Sequence, residues 1–359
     1  MLEHNLERVL VCLIASTRGH QLTYPSFKGQ VLDELGADLA LAIAIDEKTY
    51  DYTNPFWQDA KYRWTAPTFR PDYGEAYDLV QRRLCQQRDI SPPDWRSMLR
   101  IKGVWQGGIQ SKQPQRSYSA LLPFCRWLLL EGLRQDKILD RYDRFVITRS
   151  DFFWLCPHPP LSVLDQDAIW VPDVEHHGGV NDRHLVASRS DVESCLDVIE
   201  DVLLHPTELY GEIKDQPQVN NEFLLAHHLK RRGLLHKVKQ FPSVMYLARE
   251  LNDYGPTYSG GRYDGSAGHF IKYKSEFRAA KAYRTIIHCR ADWEGRRWMQ
   301  FDPTSVRTKP SSLPLRFRYI CETAYYTIRS ELRRPGHIGR VVRFCTRMLR
   351  QLFSRPASS

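Results

Sequence analysis

Two apolar segments near the start of the chain constrain its fold more than any other feature. Residues 8–16 (RVLVCLIAS) and residues 37–45 (ADLALAIAI) contain few polar side chains, and polar residues follow both. Apolar runs of this length are typical of parallel strands that are buried on both faces of a sheet. Parallel neighbours need a crossover, which is usually a helix and is right-handed. The two segments therefore predict a βαβ unit that opens a doubly wound α/β sheet.

The rest of the chain continues this alternation. The patterns predict a helix over residues 26–35 with Ser26 as its N-cap, an irregular polar region over residues 47–117, and a glycine-rich loop over residues 255–268. Further strands are predicted at residues 144–148, 168–172, 185–188 and 237–246, and further helices at residues 78–87, 119–139, 191–204 and 221–232. The predicted fold class is α/β, with a mixed, mainly parallel sheet, helices on both faces, and a C-terminal basic helical appendage.

The positive charge of the chain is concentrated at its C-terminal end. The net charge is +9, and residues 313–359 hold ten arginines against two glutamates, so residues 1–312 are nearly neutral. A near-neutral body is not expected to bind nucleic acid, which attracts strongly basic surfaces. We therefore predict a main domain over residues 1–295 and a basic, helical appendage over residues 296–359.

Within this appendage, residues 338–353 have the spacing of an amphipathic helix. Apolar residues fall on one stripe, and arginines fall mostly on the other side. One interpretation is a helix that binds an anionic membrane surface through apolar burial and charge attraction. The alternative is an ordinary amphipathic helix packed on the main domain, with solvated arginines. The excess of arginine favours the membrane surface.

The cysteines and the N-terminus predict a cytoplasmic location. The eight cysteines are scattered and form no C-x-x-C pair, as expected for reduced thiols in a reducing compartment. No apolar run approaches the length of a membrane span, and the N-terminal MLEHNLER does not have the pattern of a secretory signal. Together with the basic appendage, this predicts a cytoplasmic protein that associates peripherally with the inner leaflet of the membrane.

The sequence lacks motifs that would indicate several other classes of site. It contains no P-loop, no G-x-G-x-x-G and no G-x-S-x-G motif, which argues against kinases, Rossmann dehydrogenases and α/β-hydrolases. The histidine pairs at residues 176–177 and 227–228 have no cysteine cluster at zinc-ligand spacing, which argues against a structural zinc ion.

The turn after the predicted strand at residues 144–148 carries a candidate metal and phosphate site. The strand leads into Arg149, Ser150 and Asp151, and three aromatic residues follow. A carboxylate at a strand end suits Mg²⁺ or Mn²⁺, and a guanidinium suits phosphate. Asp151 is therefore the candidate metal ligand, and Arg149 is a candidate phosphate ligand. The alternative is a surface turn in which Asp151 caps the next element and Arg149 is solvated.

Two further segments supply candidate catalytic residues. Residues 175–184 (EHHGGVNDRH) combine paired glycines, which let a ligand approach the backbone closely, with Asp182 for sugar hydroxyls and Arg183 for a phosphate or an acceptor anion. Glu222 lies in the first turn of a predicted helix and is a candidate general base. The alternatives are a hairpin turn at residues 181–182 and a carboxylate that is simply favoured by the helix dipole.

The order of these segments resembles a group of GT-A-like glycosyltransferases that build surface polysaccharides in microbes and viruses. The resemblance covers roughly residues 8 to 250. It rests on an ordered set of segments, at residues 9–19, 26–27, 36–39, 142–143, 147–151, 169–172, 178–179, 182–184 and 221–222. Arg149 stands where the common D-x-D pattern of this group has its first acid.

The resemblance implies a nucleotide-diphosphate sugar that lies across the carboxyl ends of the strands. Ser16, Thr17 and Arg18 would line the nucleotide, and Asp46 would lie near its base or ribose. Asp151 would lie at a Mn²⁺ or Mg²⁺ ion.

These observations predict a glycosyltransferase that moves a sugar from a nucleotide-diphosphate-sugar donor to a glycan or lipid-linked glycan acceptor. In this hypothesis Asp182 or Glu222 is the base, and Arg149 or Arg183 binds the phosphates. One alternative is a sugar nucleotidyltransferase, which would normally carry a glycine-rich, basic loop near its N-terminus. The other is a non-catalytic scaffold whose basic tail binds RNA or a membrane.

Overall fold

A seven-stranded sheet lies at the centre of the part of the chain that the structure describes. The computed structural model describes residues 7–69, 72–106, 108–109, 118–250 and 262–293. Its strands, in chain order, are β1 (Val9–Ala15), β2 (Asp38–Ile45), β3 (Tyr62–Pro67), β4 (Val104–Trp105), β5 (Arg144–Thr148), β6 (Phe152–Trp154), β7 (Ile169–Pro172), β8 (Leu185–Ser188), β9 (Gln218–Val219), β10 (Val238–Phe241), β11 (Met245–Arg249), β12 (Arg262–Asp264) and β13 (His269–Ile271).

The main sheet has the strand order β10-β7-β8-β5-β1-β2-β3. Within it, β8 runs antiparallel to both neighbours, and the other pairs are parallel. A second, antiparallel sheet has the order β12-β13-β11-β6, and β4 pairs with β9. The prediction of an α/β fold with a mixed, mainly parallel sheet is confirmed.

Helices cover both faces of the main sheet. They are α1 (His20–Phe27), α2 (Asp33–Leu35), α3 (Pro55–Asp59), α4 (Gly74–Arg88), α5 (Leu121–Gln135), α6 (Arg189–Leu196), α7 (Val198–Leu204), α8 (Pro206–Ile213), α9 (Asn221–Arg231) and α10 (Lys274–Tyr283). Because successive side chains of a strand point to opposite faces, β1 contributes to two cores. Leu10 and Ile14 belong to the buried cluster that includes residues of α4, α5, α6, α7 and α9, whereas Val11 and Leu13 belong to the buried cluster that includes Phe27 of α1.

The first crossover helix begins earlier than the sequence predicts. Gly19, in the left-handed conformation with φ of 72°, is the N-cap of α1, which begins at His20. A π turn at Lys28–Leu32 connects α1 to α2. The prediction of Ser26 as the N-cap is therefore wrong. Ser26 lies inside the helix, where its hydroxyl donates to the carbonyl oxygen of Thr23 at 2.9 Å.

Two other predicted regions differ from the structure. The region predicted to be irregular contains the edge strand β3, on which half-buried and exposed residues alternate. The helix predicted within that region at residues 78–87 is confirmed as α4, which begins four residues earlier. The strand predicted at residues 237–246 is two strands, β10 in the main sheet and β11 in the second sheet. They are separated at Pro242, which has no N–H group to continue a ladder.

All the described residues belong to one compact unit. In this part of the chain, no helix combines the length and the apolar character that crossing a membrane would require. The predicted domain boundary at residues 295–296, the amphipathic helix at residues 338–353, and residues 255–261 of the predicted glycine-rich loop lie outside the described residues.

A glycine allows α5 to pack closely against β3. A Cβ atom at Gly132 would lie 2.3 Å from Cδ2 of Trp64. We expect Gly132→Ala to lower the free energy of unfolding by about 1–3 kcal/mol, because the ring or the helix must move. Gly211→Ala in α8 is the matched control, since a Cβ there meets no atom within 4 Å, and it should be neutral or stabilising. Urea denaturation compares the two variants, and equal stabilities would contradict the expectation.

Candidate functional site

The carboxyl ends of the two central strands bring two polar loops together. β1 and β5 are parallel neighbours, so residues 16–19 and residues 149–151 leave the sheet side by side. The hydroxyl of Ser150 lies 2.8 Å from the carbonyl oxygen of Ser16 and 2.9 Å from that of Arg18. These contacts position Arg18 against the Arg-Ser-Asp turn.

Asp151 lies at the centre of three guanidinium groups. Its Oδ2 accepts hydrogen bonds from Arg18 at 2.8 Å, Arg149 at 2.7 Å and Arg249 at 2.6 Å, and its Oδ1 accepts from Nε of Arg149 at 3.0 Å. We refer to these four residues as the arginine cluster. Burial alone would raise the pKa of Asp151, but the three arginines outweigh it and hold the pKa well below its usual value. The carboxylate therefore stays ionised.

Arg249 reaches the cluster from the second sheet. It is the last residue of β11, which pairs with β6, the strand that directly follows Asp151. The backbone N–H of Ala248 donates to the carbonyl oxygen of Asp151 at 2.9 Å. Arg249 is only 2% exposed. The ion pair thus joins the two sheets at the edge where the loops meet.

Lys272 lies close enough to the arginine cluster and to Arg183 for their charges to change its pKa. It follows β13, it is half-buried, and its ammonium lies 4.7 Å from the centre of the Tyr273 ring. Burial lowers the pKa of Lys272 well below its usual value, and the positive charges of Arg249, Arg149 and Arg183 lower it further. An anion that enters this space would offset those repulsions.

Asp182 and Glu222 form the second polar group. Glu222 lies in the first turn of α9, and Asp182 lies in the loop before β8, where it is 3% exposed. Among the described residues, Oδ1 of Asp182 has no hydrogen-bond partner. Burial raises the pKa of Glu222 to about 8, and the negative charge of Asp182 acts in the same direction. Glu222 can therefore gain or lose a proton close to neutral pH.

Arg183 is paired with a carboxylate inside the protein. Its Nη1 donates to Oε1 of Glu276 at 2.6 Å, and its Nη2 donates to the carbonyl oxygen of Glu175 at 2.9 Å. Its guanidinium lies 5.0 Å from the centre of the Tyr273 ring. Burial would lower the pKa of Arg183, but Glu276 outweighs it and leaves the pKa above its usual value. Since Glu276 already balances its charge, binding of phosphate by Arg183 stays a prediction.

Gly179, the second of the paired glycines, lies against the protein backbone. A Cβ atom at Gly179 would lie 2.0 Å from the carbonyl oxygen of Glu222. That oxygen accepts a hydrogen bond from the N–H of Val180 at 2.9 Å, and Asn220 donates from Nδ2 to the carbonyl oxygen of His177 at 3.0 Å. The close approach that Gly179 allows is therefore to the first turn of α9, and it positions Glu222.

The other residues expected along the nucleotide lie on the loops after β1 and β2. The hydroxyls of Thr17 and Tyr50 are 2.9 Å apart, and Asn54 donates from Nδ2 to the carbonyl oxygen of Thr17 at 3.0 Å. Asp46 directly follows β2, is exposed, and accepts a hydrogen bond from the backbone N–H two residues on at 3.1 Å. Contacts of Ser16, Thr17 and Asp46 with a nucleotide stay predictions.

The sequence patterns do not identify Arg249, Lys272 or Glu276. Arg249 ends the apolar segment MYLAR, and a cation at a strand end is the one signal that marks it. Lys272 and Glu276 follow the β12–β13 hairpin without any distinctive spacing. Their proximity to Asp151 and Arg183 arises only when the second sheet is assembled.

The side chains around Asp151 do not fit a divalent cation. Mg²⁺ and Mn²⁺ need several oxygen ligands, and both oxygens of Asp151 already accept hydrogen bonds from guanidinium groups. The three arginines would also repel an added cation. Across the residues that the structure describes, no group of three or more His, Cys, Asp or Glu side chains could hold a metal ion. The expectation of Mn²⁺ or Mg²⁺ at Asp151 stays a prediction, and the surrounding side chains argue against it.

Comparisons with known proteins do not assign the chain to a family. No protein-family model matches it, and no curated protein matches it. Among solved structures, it is similar to mouse xyloside xylosyltransferase 1 in its apo form, with a TM-score of 0.34 and 7% sequence identity; the match covers 66% of this chain and 86% of that chain. A similarity this remote assigns no activity.

Removal of the central carboxylate tests the arginine cluster. We expect Asp151→Asn to lower the free energy of unfolding by about 3–5 kcal/mol, because three buried or half-buried guanidinium groups lose their counter-charge. Asp33→Asn is the control, since the Asp33 carboxylate is exposed and lies 3.5 Å from Lys28 at the surface. Urea denaturation measures both effects. Equal, small effects would show that the cluster does not depend on Asp151.

The pKa of Glu222 predicts a pH dependence of stability. The pKa is about 8 in the folded protein against a usual value of 4.5, so the folded state retains a proton that the unfolded state releases. Stability should therefore fall as pH rises between about 4.5 and 8. The glutamine side chain in Glu222→Gln cannot titrate, so the stability of this variant should fall less steeply as pH rises. Urea midpoints across this interval measure the difference, with the exposed Glu75→Gln as control. Parallel curves for wild type and Glu222→Gln would contradict the raised pKa.

Proposed function

We propose that the protein is a glycosyltransferase that moves a sugar from a nucleotide-diphosphate-sugar donor to a hydroxyl group of a glycan or lipid-linked glycan. The observation that supports this most is the arginine cluster beside a carboxyl group of raised pKa, at the carboxyl edge of a mainly parallel sheet. Ligands of open α/β sheets bind at this edge. Transfer from a diphosphate needs a cationic site for the leaving group and a base for the acceptor.

The arginine cluster would stabilise the leaving group. When the bond between the anomeric carbon and the diphosphate oxygen breaks, the oxygen keeps the electron pair and negative charge grows on the nucleoside diphosphate. The side chains of Arg18 and Arg149 are 20% and 11% exposed, so a ligand can reach both from outside the cluster. Guanidinium groups bind phosphate oxygens through charge-assisted hydrogen bonds.

Glu222 would act as the base. As the acceptor oxygen bonds to the anomeric carbon, its proton would move to the ionised carboxylate of Glu222. A pKa of about 8 makes Glu222 a stronger base than an ordinary carboxylate. Asp182 would orient the acceptor, because its Oδ1 is buried and, among the described residues, has no hydrogen-bond partner, so it can accept one from a sugar hydroxyl.

The cellular setting of this proposal rests on the sequence. The arginine-rich residues 313–359 would hold the enzyme at the anionic inner leaflet, where lipid-linked acceptors are available. The resemblance to surface-polysaccharide glycosyltransferases suggests the same setting.

The pH dependence of turnover tests the role of Glu222. A base must be ionised, so turnover should rise with pH through about 8. Glu222→Gln should lower kcat by about 10²- to 10⁴-fold with little change in donor affinity, since proton transfer matters in the transition state. Asp182→Asn removes a charge that raises the pKa of Glu222, so the rise in turnover should move to lower pH.

Turnover can be measured without the natural acceptor. From a panel of UDP-, GDP- and dTDP-sugars, the donor that raises the melting temperature most is chosen, and release of nucleoside diphosphate with water as acceptor is followed. The exposed Glu75→Gln is the control. Full turnover in Glu222→Gln would exclude Glu222 as the base.

Formation of pyrophosphate from a nucleoside triphosphate and a sugar 1-phosphate would indicate a nucleotidyltransferase instead.

A further inference from the structure

We propose that the arginine cluster and Lys272 form a diphosphate-binding site that works without a divalent cation. The inference rests on the proposed function, because it states how the donor of that reaction is held. The ligand is a diphosphate, either as free pyrophosphate or within a nucleotide sugar. Lys272 is the residue that this site adds to the arginine cluster.

Asp151 acts in this site as an internal counter-ion. Among these four residues one carboxylate faces three guanidinium groups, so their summed formal charge is positive. Without Asp151, repulsion between the arginines would separate them. Arg149 donates to Asp151 through Nε and Nη2. Among the described residues its guanidinium has no other acceptor, and Nη1 is therefore available to a ligand.

Within the described part of the chain, Lys272 adds an amino group whose charged form a bound anion would stabilise. Its ammonium makes no ion pair there, whereas Arg183 is balanced by Glu276 at 2.6 Å. The backbone N–H of Lys272 donates to the carbonyl oxygen of Leu247 at 2.9 Å, so Lys272 lies beside β11, the strand that ends at Arg249. Burial and three nearby arginines disfavour its charged form and lower its pKa, and the negative charge of Asp151 opposes them only in part. An anion bound between Lys272 and the arginine cluster would favour the ammonium, and the ammonium would in turn favour the anion.

The start of α1 adds to the positive potential of this site. Gly19 is the N-cap of α1, and a Cβ atom at Gly19 would lie 4.0 Å from Cβ of Asp151. The first N–H groups of a helix have no partner within the helix, and they carry partial positive charge. The helix therefore begins beside the arginine cluster with its polarity suited to an anion.

A metal ion in a transferase neutralises the charge that grows on the leaving diphosphate. Here three fixed guanidinium groups, joined by the ammonium of Lys272 once an anion binds, would neutralise that charge instead. An added cation would instead compete with Arg18, Arg149 and Arg249 for the two oxygens of Asp151.

Isothermal titration calorimetry with inorganic pyrophosphate in the presence of EDTA tests the site. We expect the wild-type protein to bind pyrophosphate under these conditions, with an affinity that falls as salt is added. Lys272→Gln should weaken binding about tenfold or more, because a charge-assisted contact is lost. Lys272→Arg should retain most of the affinity. Lys274→Gln is the matched control, since Lys274 lies two residues away and is exposed.

Two results would overturn the inference. One is no binding of pyrophosphate by the wild-type protein in EDTA. The other is equal affinity in Lys272→Gln and wild type, with circular dichroism showing that the variant is folded.

Donor turnover separates this inference from the proposed function. If nucleotide sugars are hydrolysed or transferred only with Mn²⁺, and pyrophosphate does not bind in EDTA, the cation-free site is wrong and the glycosyltransferase stands. If pyrophosphate binds in EDTA and no nucleotide sugar is turned over, the anion site stands and the proposed function is wrong. Turnover in EDTA within about twofold of that with Mn²⁺ supports both.

Discussion

The ion pairs between Asp151 and three arginines join parts of the chain that are far apart in sequence. Arg18 follows β1, Arg149 follows β5, and Arg249 ends β11 in the second sheet. A buried carboxylate is stable in its ionised form only when such partners surround it. The cluster therefore helps to hold the second sheet against the main sheet, together with the buried apolar side chains of β6 and β11 that belong to one core with those of β1 and β2.

β11 connects the cluster to the rest of the site. Arg249 binds Asp151 at 2.6 Å, and two residues earlier the N–H of Leu247 donates to Glu276 at 2.9 Å. Glu276 in turn holds Arg183, which directly follows Asp182. A single strand thus positions both the cationic part and the carboxylate part of the site. A change in the register of β11 would displace the two parts together.

Two carboxyl groups of the site show how surroundings determine charge. Burial acts on both Asp151 and Glu222 in the same direction, since it disfavours the ionised form. Three arginines reverse this effect at Asp151, and its pKa falls well below the usual value. At Glu222 the neighbouring Asp182 adds to it, and the pKa rises to about 8. The site therefore combines a permanent anion inside a cationic cluster with a carboxyl group that can exchange a proton.

The sequence by itself determined the buried strands β1, β2 and β5 and the polar turns that follow them. A strand that is buried on both faces needs apolar side chains at successive positions, so it appears in the sequence as an unbroken apolar run. It also indicated Arg149, Asp151, Asp182 and Glu222 as candidate site residues, because they lie next to the ends of strands and helices that the sequence pattern predicts. The tertiary structure alone decided what surrounds Asp151. Its partner Arg249 lies 98 residues further along the chain, and Lys272 comes later still. The charge that a carboxylate meets depends on distance in space, and no local spacing encodes that distance.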